Sequence, residues 1–193
     1  MIRHIAIFAS GSGTNAENII AYFKDREYAR VQVVLTNHAR AGVIARAHRY
    51  HVPCEIFTGE DLAQPGKILS LLQKHKTDFV VLAGFLKLMP ADVVKHYEGR
   101  IINIHPALLP AFGGKGMYGE RVHKAVIASG ATESGITIHY VNEKFDEGKI
   151  IFQDRVPVSK DDTPETLADK IHQLEYRHYP AVIDRLLQNM PDN

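Results

Sequence analysis

Short apolar runs alternate with longer segments of helical period along most of this chain, and no other feature restricts its fold so much. Strands joined through helices pair in parallel, and a parallel sheet needs helices on both faces. Asp78-Phe79-Val80-Val81-Leu82-Ala83 reads as a central strand buried on both faces. Ile5 to Ala9, Val31 to Leu35, Glu55 to Phe57 and Arg100 to His105 read as its companions. Between them the spacing predicts helices over Asn15 to Phe23, Ala41 to Tyr50, Asp61 to His75, and Pro90 to Tyr97. The style changes after His105. Leu108 to Gly119 is a long glycine-rich loop, followed by a helix from His123 to Ala128. Gly135 to Val141 and Ile150 to Val158 are expected to be antiparallel strands. Thr163-Pro164-Glu165-Thr166 opens a last helix to about Leu187, with a cap, a proline in its first turn and an acid behind it. The expected class is α/β. It is an open, mostly parallel twisted sheet with helices on both faces and antiparallel strands in the C-terminal third, in one domain over residues 1–193.

A chain of 193 residues can bury one sizeable core, and 45% hydrophobic with 23% charged residues is a soluble, globular balance. The formal net charge of +1 lacks the basic excess of a protein that grips a nucleic acid backbone. Cys54, the single cysteine, excludes an intrachain disulfide and a multi-cysteine metal site. No window approaches the roughly 18 apolar residues of a membrane span, and the first apolar run is too short for a signal-peptide core. The expectation is a cytoplasmic domain acting on small molecules, with no nucleic acid or membrane partner.

Ser10-Gly11-Ser12-Gly13-Thr14-Asn15-Ala16 joins the first strand to the first helix. Glycines let backbone N–H groups approach a ligand, and a helix N-terminus favours an anion. Three readings stand: a monophosphate site, a dinucleotide fingerprint closed by Ala16, or a ligand-free turn capped by Ser12 or Thr14. The dinucleotide reading expects an acid where the second strand ends, and that strand ends Leu35-Thr36-Asn37-His38.

Ile101-Ile102-Asn103-Ile104-His105-Pro106 carries the second signal. Alternation places Asn103 and His105 on one strand face and Ile102 and Ile104 on the other. Ligands of open α/β sheets bind at such strand ends. An amide can donate to a developing oxyanion, and an imidazole moves protons near neutral pH. Asp146 or Glu147, in the turn between the last two strands, can supply a carboxylate that would raise the His105 pKa and favour its imidazolium. Cys54 reads as packing, and His48 with His51 as a solvated helix end. His139 is read equally as a buried neighbour of the site or as packing, and His123 as a supporting candidate.

Taken together these stretches resemble the folate-dependent formyltransferases, nearest their glycinamide ribonucleotide branch. The matching pieces are Ser10 to Asn15, Val80-Val81-Leu82-Ala83-Gly84-Phe85, Ile102 to Pro110, Gly135-Ile136-Thr137-Ile138-His139-Tyr140-Val141, Asp146 to Gln153, and Glu175-Tyr176-Arg177-His178-Tyr179-Pro180. The resemblance implies a Rossmann-like formyltransferase fold, with a phosphate-binding half over about residues 1–100 and a catalytic, folate-binding part over about 101–193. It implies formyl transfer from 10-formyltetrahydrofolate to the amine of 5-phosphoribosyl-glycinamide in purine biosynthesis, without a metal or covalent intermediate. Asn103, His105 and Asp146 would be the catalytic set. Gly13, Thr14 and Asn15 would hold the substrate phosphate, and Glu175 its ribose or amine. Leu86, Lys87, Leu88, Met89, Asn103, Tyr140, Val141, Asn142 and Glu143 would meet the folate. Lys87 stands where many members carry Arg, which exchanges a bidentate clamp for a point charge. The alternatives are another transferase or hydrolase of the same superfamily, or a nucleotide-binding oxidoreductase. The transfer-RNA branch usually adds a C-terminal domain and a basic surface, and the hydrolase an N-terminal regulatory domain.

Overall fold

The computed structural model describes residues 2–191. Met1, Asp192 and Asn193, at the ends of the expected domain, lie outside the described residues. The elements run β1 (Arg3–Phe8), α1 (Thr14–Phe23), β2 (Ala29–Thr36), α2 (Gly42–Arg49), β3 (Cys54–Ile56), α3 (Gly59–Ala63), α4 (Lys67–Lys74) and β4 (Phe79–Leu82). They continue with α5 (Ala91–His96), β5 (Ile101–His105), α6 (Glu120–Ser129), β6 (Glu133–Tyr140), β7 (Ile150–Pro157) and α7 (Pro164–Gln188). The strands form one sheet in the order β3-β2-β1-β4-β5-β6-β7. Pairing is parallel from β3 through β5 and antiparallel between β5, β6 and β7, as the sequence reading expects.

Side chains alternate between two apolar layers. Ile5, Ile7, Phe79, Val81, Ile102 and Ile104 face a core completed by α1 and α7, while Ala6, Phe8, Val80, Leu82 and Ile101 face the other. At ~25 cal/mol per Å² of apolar surface, burying each of the Val, Leu, Ile and Phe side chains among them contributes ~1.5–3 kcal/mol. No helix among the described residues is long and apolar enough to cross a membrane.

Two helices depart from the sequence reading. The expected helix from Asp61 to His75 is two helices, because Gln64 is extended before Pro65 and Gly66 is left-handed at φ 79°. The last helix runs straight through Pro180, which removes one backbone donor and leaves the Tyr176 carbonyl open. The Asn18 side chain fills that place, its Nδ2 donating to the Tyr176 oxygen at 2.9 Å. A side chain of α1 thus repairs α7 and ties the two helices together.

Candidate active site

One cavity of about 580 Å³ opens where β1, β4 and β5 end. Its wall is built from the loops after those strands, from the turn before β7 and from one face of α7. β1 lies where the chain order reverses, since its neighbours are β2 on one side and β4 on the other. Crevices of open α/β sheets form at that point.

At one end of the cavity lies the glycine loop. Gly13 takes φ 78°, and a Cβ there would sit 2.4 Å from the Val43 Cβ, so a side chain is excluded twice over. The turn is not closed by Ser12 or Thr14: Gly13 is the cap residue, and no side chain caps α1. The first backbone donors of this ten-residue helix therefore have no side-chain cap and are open to a ligand. Asn15 donates from Nδ2 to Glu175 Oε2 at 2.8 Å, while its Oδ1 is buried without a partner among the described residues. Glu175 is 6% exposed. Its burial raises the pKa, against the opposing influence of the Asn15 bond and His172.

At the other end Asn103, His105 and Asp146 come together. β5 and β6 place Asn103 opposite His139 and His105 opposite Thr137, so four polar side chains share neighbouring strand positions. His139 has its Nδ1 2.8 Å from the Tyr140 carbonyl oxygen, which assigns the proton there. Its Nε2 then accepts from Asn103 Nδ2 at 3.2 Å, which orients the amide and leaves the second amide hydrogen free. His105 is 3% exposed, with Nε2 2.8 Å from the Phe112 carbonyl oxygen and Nδ1 3.5 Å from Asp146 Oδ2. Asp146, at φ 57°, also lies 3.6 Å from His139 Nε2 and accepts from the Gly114 N–H at 2.9 Å.

The electrostatics correct one expectation. Burial lowers the His105 pKa, and Asp146 and the Phe112 carbonyl only partly offset it, with His139 adding to the lowering. His105 is thus not held charged by Asp146 in the structure as it stands. Burial by itself would raise Asp146, but the adjacent His139 and His105 rings and the Gly114 N–H outweigh it and hold the carboxyl below its ordinary value.

Leu86, Lys87, Leu88, Met89, Asn103 and Val141 line the cavity, whereas Tyr140, Asn142 and Glu143 do not. Tyr140 contributes its backbone instead, through the carbonyl that fixes the His139 ring. Leu86 and Leu88 are 40% and 41% exposed at the rim, and Met89 is buried against the second core layer. Glu147 pairs with Lys144 at 3.1 Å, which leaves Asp146 as the acid of this turn that reaches the histidines.

Sequence reasoning passed over four groups. Thr137 Oγ1 donates to the Ala107 carbonyl at 2.7 Å and accepts from the Leu109 N–H at 3.0 Å and from Gln153 Nε2 at 2.9 Å. The Phe112 carbonyl, His172 and Arg121 complete the set, the last two lining the cavity. Alternation along β6 was the one available signal, since it puts Thr137 and His139 on the same face.

Comparison with known proteins agrees with this geometry. A family model described as formyl transferase matches residues 3–183. A phosphoribosylglycinamide formyltransferase of Bacillus subtilis is 36% identical, with 96% of this chain and 95% of that protein aligned. A chloroplastic protein of the same name from Arabidopsis thaliana is 41% identical over 96% of this chain, which spans only 66% of that relative's length. The crystal structure of phosphoribosylglycinamide formyltransferase from Bacillus halodurans superposes with a TM-score of 0.87 at 39% identity, covering 97% of this chain and 96% of the other. The fold is that of these transferases, and the chain belongs to the formyl transferase family, among the phosphoribosylglycinamide formyltransferases.

Proposed function

We propose that this chain transfers the formyl group of 10-formyltetrahydrofolate to the amine of 5-phosphoribosyl-glycinamide in purine biosynthesis. The observation that carries the reading is the two-ended cavity. An uncapped helix N-terminus suited to a phosphate lies at one end, and an amide, an imidazole and a carboxylate converge at the other. The folate donor fits the rim, where exposed leucines can cover an apolar ring and Lys87 is available to an acidic tail. The donor supplies a formyl carbon on a nitrogen that can leave with a proton.

The substrate's neutral amine forms the new C–N bond while the carbonyl electron pair moves onto oxygen. Asn103, its free hydrogen oriented by His139, donates to that oxygen. The Phe112 carbonyl already occupies the acceptor position at His105 Nε2, and a developing oxyanion is a stronger acceptor for the same N–H. Negative charge there also favours the imidazolium that burial disfavours in the empty site. When the oxygen's electron pair returns, the bond to the folate nitrogen breaks and that nitrogen takes up the proton the attacking amine has lost, relayed through water and Asp146. Asp146, held ionised, fixes the His105 ring and can accept through water the proton lost by the attacking amine. Each oxyanion donor contributes ~2.7–4 kcal/mol in comparable sites. The reading takes residues 1–193 as one catalytic domain working on small molecules in the cytoplasm, with neither nucleic acid nor membrane as partner.

A spectrophotometric transfer assay with a 10-formylfolate donor and the ribonucleotide acceptor tests it. Transfer is expected, with His105→Ala and Asp146→Asn each slower by at least ~10². Near-wild-type turnover in a folded variant rejects the mechanism, and no transfer by the wild type rejects the substrates.

A further inference from the structure

One buried titratable group lining the cavity has no part in the steps above. His123, on α6, is 4% exposed, and its Nδ1 is buried with no hydrogen-bond partner among the described residues. An imidazole edge left unpaired inside a protein is costly, so a site that keeps one has a use for it when filled. Its electrostatic neighbours are Glu120 on its own helix, His172 on α7 and His105 on β5. His172 lines the same cavity, stacks on Tyr176 with ring centroids 6.0 Å apart, and precedes Glu175 by one helical turn. Glu175 in turn holds Asn15 in the first turn of α1. The two histidines therefore continue the wall that starts at the phosphate end of the cavity.

A phosphate dianion at the α1 N-terminus meets an electrostatic difficulty there. Glu175, bonded to Asn15 in that first turn, is repulsive when ionised, and Arg46, whose Nε donates to the Ser12 carbonyl at 2.8 Å, already has its charge paired with Glu17. Lys87, Lys115 and Arg121 line the cavity but are exposed, and Arg121 lies over the Tyr118 ring at 5.0 Å. Of the imidazoles in that wall, His123 is buried and His172 half-buried.

We propose that His123, assisted by His172, supplies the buried counter-charge for the acceptor's phosphate, by taking a proton from solvent onto Nδ1 as the dianion binds. Protonated Nδ1 becomes a donor to a phosphate oxygen, and the charge created on the ring neutralises part of the dianion. Without ligand, burial, His172 and His105 hold the His123 pKa down to about 4, against Glu120, so the empty site keeps a neutral ring. His123 is then a specificity-determining residue for the phosphorylated acceptor. The inference rests on the ribonucleotide reading of the cavity and adds to it a residue and a proton.

The experiment is calorimetric titration of wild type and His123→Asn with 5-phosphoribosyl-glycinamide at pH about 7, in buffers of different ionisation enthalpy. A phosphate monoester is mostly dianionic at that pH. Proton changes of the ligand's amine and phosphate are common to both proteins and cancel in the difference. The wild type is expected to take up on the order of half a proton more than the variant and to bind about ten-fold more tightly. In the transfer assay the variant's loss should fall on the acceptor KM, with kcat and the folate KM little changed, a split that mere structural damage does not give. Imidazole NMR titration of the wild type, with and without the acceptor, decides the matter by itself if the variant does not fold: the His123 pKa must rise on binding. Equal proton uptake in both folded proteins, or an unmoved His123 resonance in the saturated wild type, overturns the proposal and leaves the acceptor assignment intact. Failure of the wild type to bind the acceptor at all overturns that assignment, and this inference with it.

Discussion

The two arms of the sheet treat polarity in opposite ways. In the parallel arm, β4 and the stretch of β1 from Ile5 to Phe8 bury unbroken apolar runs, and the loops after them line the cavity with Gly11, Gly13 and Gly84 and with Leu86 and Leu88. In the antiparallel arm, β5 and β6 bury His105, Thr137 and His139 beside Asn103. A parallel strand packed on both faces has little to offer a buried polar side chain, so binding there falls to N–H groups at a helix end. The antiparallel arm has a neighbouring turn and an edge strand whose carbonyls, N–H groups and amides can satisfy such side chains. In the proposed reaction, backbone recognition of the phosphate and chemistry at the formyl group would then divide along the same line as the strand directions.

The largest break in that division is expected at Thr137. Its hydroxyl joins Ala107, Leu109 and Gln153 in one buried knot beneath the turn that follows His105. Thr137→Val keeps the shape and strands the Leu109 N–H and the Ala107 carbonyl. At ~1–3 kcal/mol for each buried group left unpaired, the loss should be about 3 kcal/mol. Chemical denaturation measures it, and kcat should fall with it because the turn holds the catalytic strand end. An unchanged denaturation midpoint would show that the antiparallel arm does not depend on this knot.

A smaller break belongs to the parallel arm and separates backbone from side chain. Gly13→Ala forces a Cβ to within 2.4 Å of Val43 at a left-handed φ of 78°, while nothing lies within 4 Å of a Cβ at Gly11. Gly13→Ala should cost about 2 kcal/mol and raise the acceptor KM, whereas Gly11→Ala should change stability by less than ~0.5 kcal/mol. Thermal unfolding of the pair with acceptor titrations reads both effects. Equal behaviour of the two variants would mean that the loop tolerates displacement and that the phosphate end is not built by its backbone.

Much of this contrast was legible in the sequence, for reasons that can be named. The apolar run at Phe79 to Leu82 and the alternation through Ile102, Asn103, Ile104 and His105 are local patterns, and local patterns set strand, face and sheet position. Asp146 was one of two acids in a turn, and choosing it takes the hairpin's three-dimensional course, which sends Glu147 to Lys144. The break at Gln64-Pro65-Gly66 was written in the chain and outweighed by the apolar period on either side. The repair of Pro180 by Asn18 joins residues 158 positions apart if the accepting carbonyl is counted, and no local pattern reports it. The His105 charge state was misjudged because it follows from burial, which a carboxylate's presence in the sequence does not reveal.

An effect seen only on acidification sharpens the comparison by titration. With the His123 pKa at about 4 in the folded chain and near 6.5 unfolded, the unfolded state binds more protons throughout the interval between. Stability therefore rises with pH there: the contribution is fully present above about 6.5 and drains away as pH falls toward 4. His105, also lowered by burial, acts in the same direction, so the wild type alone cannot assign the slope. The difference between wild type and His123→Asn can. Between pH about 7 and 4.5, above the range where the lowered Asp146 takes its proton, the wild type should lose about 2 kcal/mol more than the variant. Denaturant midpoints measured across that interval give the two curves. Parallel curves would mean that burial does not hold His123 neutral in the free protein, and α6 would then offer no uncommitted imidazole for a phosphate to charge.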